Sequence, residues 1–251
     1  MKKPLVRILG AAALAVASLS VQAGGVPGPS LTFTGWAYDN GNNVNATTHA
    51  YRGSAGGFSA TLSGAPGFDG ALETYCVDLL QTIGFGIAYS DYGVVSAGSY
   101  FTEAKAQTLG KLISYVFDGD LFGGTAAGYK DDLSTALQVA IWNTVYDTDL
   151  TLASGTFKDS SPYKNGNSGN FAGANGLLSA SQVASQPISY GLYVLSSPSR
   201  QDQLFWQALP ETTSTTQGLP SQGGSVPEPG SLGLAAAAMA GLAFVARRRR
   251  R

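Results

Sequence analysis

The sequence predicts an α+β fold: a mostly antiparallel β-sheet assembly with two inserted amphipathic helices, followed well downstream by a C-terminal apolar helix. Three observations carry that reading. Short segments of alternating apolar and polar residues, separated by glycine-rich turns, fill the first part of the chain. Between residues 102 and 147 the apolar period lengthens from two to nearly four. After residue 189 the alternation returns. The body is rich in Gly, Ser, Thr, Asn, Tyr and Phe, a mixture suited to strands joined by many turns.

Taken in order, "LTFTGWAY" (31–38) alternates as a strand and "DNGNN" (39–43) reads as its turn. "GGFSATLSG" (56–64) places Phe58, Ala60 and Leu62 on one face. "ALETYCVDL" (71–79) places Leu72, Thr74, Cys76 and Asp78 on one side and Glu73, Tyr75, Val77 and Leu79 on the other. "IGFGIAYS" (83–90) also reads as a strand. The first helix is expected over 102–120, where Leu109, Leu112, Ile113, Val116 and Phe117 share a face, with Thr102 as N-cap and Gly119 just past the end. The second is expected over 131–147. There Leu133, Leu137, Ile141 and Val145 form one stripe, and Gln138 and Trp142 form a neighbouring stripe at the edge of the buried surface. A Gly/Asn/Ser-rich loop (153–176) and a short helix (177–186) lead to two closing strands, 189–197 and 201–209. No internal repeat is visible.

The two ends of the chain differ from the body. Lys2, Lys3 and Arg7 precede a short apolar run (8–21) and the small-residue cleavage pattern "VQA", so residues 1–23 read as a signal peptide and the mature chain as starting at Gly24. Between Gly24 and Ala246 lie all 16 acidic residues and only seven basic ones, a formal net charge of −9. That sign argues against nucleic acid or anionic lipid as a partner of the body. Residues 24–208 suffice for one globular domain with its own core, and "LPETTSTTQGLPSQGGS" (209–225) reads as a flexible linker. The last segment, 226–251, has three parts: Pro227-Glu228-Pro229 behind a valine, an uncharged apolar stretch (230–246), and five terminal arginines. As a helix, 230–246 would span about 25 Å, slightly less than a hydrocarbon core, and the arginines would stay on the cytoplasmic side.

This tripartite tail closely resembles the PEP-CTERM sorting signal of Gram-negative bacteria. The resemblance implies an exosortase-type membrane peptidase as a partner and cleavage near Pro227-Glu228-Pro229. It also implies transient anchoring of 230–246 in the inner membrane, then delivery to the cell surface or an extracellular matrix.

Cys76 is the only cysteine in the chain. In an exported protein a single cysteine is bonded to another chain, buried and inert, or chemically used. It stands in Tyr75-Cys76-Val77-Asp78, and Gln138 stands on the second helix in Leu137-Gln138-Val139-Ala140-Ile141-Trp142. The two motifs resemble those of the intramolecular thioester domains of bacterial surface adhesins: aromatic-Cys-hydrophobic-acidic, and Thr-Gln-x-Ala-hydrophobic-Trp with Leu137 in place of the threonine. The resemblance implies a Cys76–Gln138 thioester supported by Tyr75, Asp78, Ala140 and Trp142. It would serve covalent attachment to an amine-bearing surface or matrix molecule in adhesion or a biofilm. The alternative is a structural matrix or glycoprotein component with Cys76 buried and unreactive. The chemistry can be argued without the resemblance: a thiol held against a carboxamide carbon replaces a bimolecular encounter, and attack expels ammonia.

Nothing else in the sequence builds a site. His49, the only histidine, has no Cys or carboxylate cluster beside it and reads as a strand-end surface residue. "DGDLFGG" (118–124) lacks the spacing and closing Glu of a calcium loop, and Asp131 and Asp132 read as helix-capping. There is no phosphate loop, dinucleotide fingerprint or nucleophile elbow. No metal, no cofactor and no enzymatic turnover are expected.

Overall fold

The computed structural model describes residues 28–147, 149–160, 173–183 and 187–210. Residues 1–23, read as a signal peptide, all of the expected linker after residue 210, and the tail 226–251 with its apolar stretch 230–246 lie outside the described residues. Among those described, no helix is long and apolar enough to cross a membrane.

Among the described residues, nine strands and four α-helices make an α+β fold. The strands are β1 (Ser30–Trp36), β2 (Asn42–Asn45), β3 (Arg52–Ala55), β4 (Phe58–Ser63), β5 (Gly70–Cys76), β6 (Ala88–Tyr89), β7 (Gly93–Ser96), β8 (Tyr190–Ser196) and β9 (Gln203–Ala208). The helices are α1 (Ala97–Tyr100), α2 (Glu103–Asp118), α3 (Tyr129–Tyr146) and α4 (Gly173–Val183). Seven strands form one antiparallel sheet in the order β6-β1-β4-β5-β9-β8-β7, and β2 and β3 form a separate hairpin. All four of these helices lie between β7 and the closing pair, and the two long ones, α2 and α3, are those that the change of period predicts.

β5 is the joint of the sheet. Its first residues pair with β4, from Leu62↔Gly70 to Phe58↔Thr74. Its last two pair with β9, as Tyr75↔Leu204 and Cys76↔Gln203. The strand exchanges one neighbour for another within a single residue step. The exposure follows: Gly70 and Ala71 face solvent, whereas Thr74, Tyr75 and Cys76 are all buried. Both faces are covered there, because α3 packs across one side of the strand end.

α2 begins as the sequence predicts, with Thr102 Oγ1 accepting from Lys105 N–H. It ends at Gly119 with φ −77°, a right-handed conformation, so the glycine does not supply the left-handed turn that its position suggests. α3 departs from expectation more strongly. Every residue from Leu133 to Thr144 is buried, so the helix is enclosed all round instead of lying with one face on a core. The β2–β3 hairpin, α2, α4 and the end of β5 surround it. Its N-cap is Gly128 (φ 73°), and Asp131 and Asp132 sit inside the first turn, near the positive end of the helix dipole, rather than at the cap.

The 83–90 segment is a strand only at Ala88–Tyr89. Gly86 takes φ 72°, and Phe85 and Ile87 are exposed, which breaks the alternation a strand would need. His49 belongs to a single 3₁₀ turn, Thr48–Ala50, between β2 and β3. The core is a single cluster built on Trp142, Tyr75, Phe33, Phe157 and Phe205 with surrounding Leu and Ile side chains. Each such side chain contributes on the order of 2 kcal/mol by leaving water.

Candidate functional site around Cys76

The site starts from a main-chain problem. β4 stops pairing at Thr74, so the next peptide groups of β5 have no strand on that edge. Buried N–H and C=O groups must find partners. The Gln138 carboxamide supplies them: Cys76 N–H donates to Gln138 Oε1 at 2.9 Å, and Gln138 Nε2 donates to Cys76 O at 2.8 Å. A side chain on α3 thereby takes the place of a missing strand. Neighbouring α3 residues do similar work. Ser134 Oγ accepts from Gly57 N–H at 2.8 Å, and Thr135 Oγ1 donates to Ala55 O at 3.0 Å. Gln138 is fully buried, not at the edge of a buried surface.

Because Gln138 occupies both main-chain groups of Cys76, the Cys76↔Gln203 pair is a non-hydrogen-bonded one. The next residue confirms the alternation, since Val77 N–H donates back to Asp202 O at 2.9 Å. In such pairs the Cα atoms stand about 4.5 Å apart and the side chains approach most closely. Gln203 is fully buried and, as the residue paired with Cys76 across the two strands, leaves the sheet on the same face as the Cys76 side chain. Thr74, two residues before Cys76 on the same face of β5, donates from Oγ1 to Gln203 Oε1 at 3.2 Å. Gln203 Nε2 donates to Gln201 O at 3.2 Å. Two glutamines therefore attend Cys76: Gln138 bonds its main chain, and Gln203 stands opposite it on the neighbouring strand.

The electrostatics keep the thiol protonated. Burial pushes the Cys76 pKa up and the Asp78 charge adds to it, while hydrogen bonds from its own main chain and from Gln203 pull the other way without winning. Cys76 is only 4% exposed. Tyr51 is pushed up to about 12, first by burial and then by the neighbouring Cys76.

The remaining motif residues are placed as follows. Tyr75 turns to the opposite face, its hydroxyl donating to Glu73 Oε1 at 3.0 Å and standing 3.2 Å from Ser134 Oγ. Asp78 shapes the turn after β5. Its Oδ1 accepts from Leu80 and Gln81 N–H and its Oδ2 from Asp202 N–H at 2.6 Å, which fixes the start of β9. Burial raises the Asp78 pKa despite those donors. Ala140 and Trp142 are fully buried in α3, and Trp142 packs edge-on against Tyr51 at 5.1 Å. An open cleft of about 380 Å³ lies next to the site, lined by Trp36, Tyr51, Phe58, Leu79, Phe85 and Gln201 among others. No charged side chain lines it. Among the described residues no group of three His, Cys, Asp or Glu could hold a metal ion.

Sequence reasoning passes over Gln203, Thr74 and Gln201. The local signal is faint: a glutamine between Asp202 and Leu204 in an otherwise aromatic strand. Only the pairing of β5 with β9 gives it meaning.

No curated protein matches the chain. Among solved structures, the N-terminal domain of the Streptococcus pyogenes pilus tip adhesin Cpa aligns with a TM-score of 0.42 at 14% identity, covering 71% of this chain and 99% of that one. The N-terminal thioester domain of the fibronectin-binding protein SfbI from Streptococcus pyogenes aligns with a TM-score of 0.40 at 13% identity, covering 74% and 95%. At the C-terminus, residues 225–251 match the PEP-CTERM protein-sorting motif, a signal for export and exosortase sorting.

Proposed function

We propose that this chain is an exosortase-sorted surface or matrix protein whose body forms an intramolecular thioester between Cys76 and Gln203 and uses it once, to bond covalently to an amine-bearing partner. It acts as a single-use linker and not as a turnover enzyme. Cys76 Sγ attacks the Gln203 side-chain carbonyl carbon; the C–S bond forms, the C–N bond breaks, and the thiol proton leaves with the nitrogen as ammonia. A primary amine on the partner then attacks the same carbon. The C–S bond breaks, an amide forms on residue 203, and the amine's proton returns to the Cys76 sulfur.

The observation that carries this reading is the buried Cys76↔Gln203 pair, two side chains directly opposite each other on one face of adjacent strands, with the carboxamide tied to Thr74 beside Cys76. Proximity of that kind replaces a bimolecular encounter. The cleft beside Tyr51, Leu79 and Gln201 offers the amine an approach, and its uncharged lining favours the neutral, nucleophilic form. Gln138 then serves as a clamp on the Cys76 main chain. A Cys76–Gln138 thioester is the second reading, favoured by the 2.9 Å contact between Gln138 Oε1 and Cys76 N–H. It would cost both main-chain partners of Cys76.

Intact mass separates the readings. The purified wild-type body is expected about 17 Da below its sequence mass, the weight of one ammonia. Cys76→Ala and Gln203→Ala are expected at full mass, and methylamine adds to the wild type alone. Loss of the deficit in Gln138→Ala but not in Gln203→Ala would select the second reading. A full-mass wild type would leave a structural matrix component with an inert, buried thiol, which the raised Cys76 pKa favours. Surface or matrix delivery is tested by labelling intact cells with and without Pro227→Ala/Pro229→Ala.

A further inference from the structure

We infer that Thr74 is a catalytic residue of thioester formation, its hydroxyl hydrogen-bonding the Gln203 carbonyl oxygen as that oxygen takes up negative charge. This rests on the Cys76–Gln203 reading above. The Gln203 carboxamide is held at both ends: Thr74 Oγ1 donates to Oε1 at 3.2 Å, and Gln201 O accepts from Nε2 at 3.2 Å. Gln201 O is itself fixed, since the Tyr92 hydroxyl donates to it at 2.8 Å. The carboxamide therefore has a donor on the oxygen that becomes anionic and an acceptor on the nitrogen that departs. The donor polarises the carbonyl and awaits the oxyanion that attack creates, and the nitrogen is held on the side away from Thr74.

The setting makes one hydroxyl matter. Thr74 and Gln203 are both fully buried, so the hydroxyl meets the developing charge away from bulk solvent. A donor preorganised toward an oxyanion in such a site is worth about 10²- to 10³-fold in rate. Thr74 also shares its face of β5 with Cys76, so one strand carries both the nucleophile and the oxyanion donor, two residues apart. The same oxygen becomes anionic again when an amine opens the thioester, so Thr74 serves both steps.

The test uses the full chain made by cell-free synthesis and sampled against time by intact mass after acid quench. Wild type is expected to lose about 17 Da as it folds, Thr74→Val to do so at least tenfold more slowly, and Thr74→Ser to recover most of the rate. Whatever thioester the valine variant forms is expected to take up methylamine more slowly by a similar factor. A valine variant that reacts as fast as wild type overturns the role of Thr74 and leaves the thioester standing. A serine variant as slow as the valine one also overturns it, since the hydroxyl is then not what matters. Wild type at full mass removes the underlying reading itself.

Discussion

The two sides of β5's buried end handle polar groups in opposite ways. On the α3 side, Ser134, Thr135 and Gln138 all spend their side chains on main-chain groups of neighbouring strands: Gly57 N–H, Ala55 O and both groups of Cys76. On the β9 side, Thr74, Cys76 and Gln203 face one another through side chains. The first arrangement completes a sheet. The second brings three side chains together, and the one main-chain group that Gln203 serves, Gln201 O, keeps the Tyr92 hydroxyl as a second donor. The proposed Cys76–Gln203 bond would form on the β9 side and leave the main-chain hydrogen bonds of Gln138 in place.

That contrast can be broken by substitution. Gln138→Ala strands a buried N–H and a buried C=O and opens a cavity. The expected loss of stability is about 3 to 5 kcal/mol by urea denaturation. Ser134→Ala removes the partner of Gly57 N–H and one neighbour of Tyr75, with an expected loss of about 1 to 3 kcal/mol. Gln203→Leu keeps the volume and leaves the Thr74 hydroxyl without its acceptor. Its expected cost, compared with the Cys76→Ala background so that no thioester contributes, is about 1 to 2 kcal/mol. If Gln203→Leu proves as damaging as Gln138→Ala, the two sides are not different in kind.

The smallest effect sharpens the electrostatic side of the comparison. Glu73 is raised, first by burial, with hydrogen bonds from Tyr38 and Tyr75 opposing. Asp131 is raised from 3.8 to about 6, first by burial and then by Asp132 and Asp39. An acid with a raised folded pKa binds more protons folded than unfolded, so stability falls as pH rises from the unfolded value through the folded one. Between pH 4 and pH 6 the Asp131 contribution is therefore lost as the solution becomes more alkaline. Asp131→Asn is expected to flatten that part of a Tm-versus-pH curve. A variant curve parallel to the wild type would reject the assignment.

Much of this architecture can be read from residues alone, and the failures have physical causes. The apolar alternation of β1, β4, β8 and β9 and the helical period of α2 and α3 are local signals, and the structure follows them. The β2–β3 hairpin escapes because "NNVN" and "RGSA" carry almost no apolar alternation; their order comes from Asn42 bonding Asp132 and Thr135 on α3. Gln138 is legible as a partner of Cys76, but its bond to main chain is not, because nothing local says where β4 stops. The meaning of Gln203 is a matter of which strands pair, and that is decided by the whole sheet.

Gln203 is the first residue of β9, and the sorting tail follows it in sequence. Were a partner bonded at residue 203 while the tail held the cell, a tugging force would run along the few residues from 203 to the linker and past the rest of the fold. The domain would then feel little of the strain between cell and partner. A bond at residue 138 would instead stretch α3, α4 and β8 in series. Single-molecule extension of the bonded product would tell the two routes apart by how much chain is released before rupture.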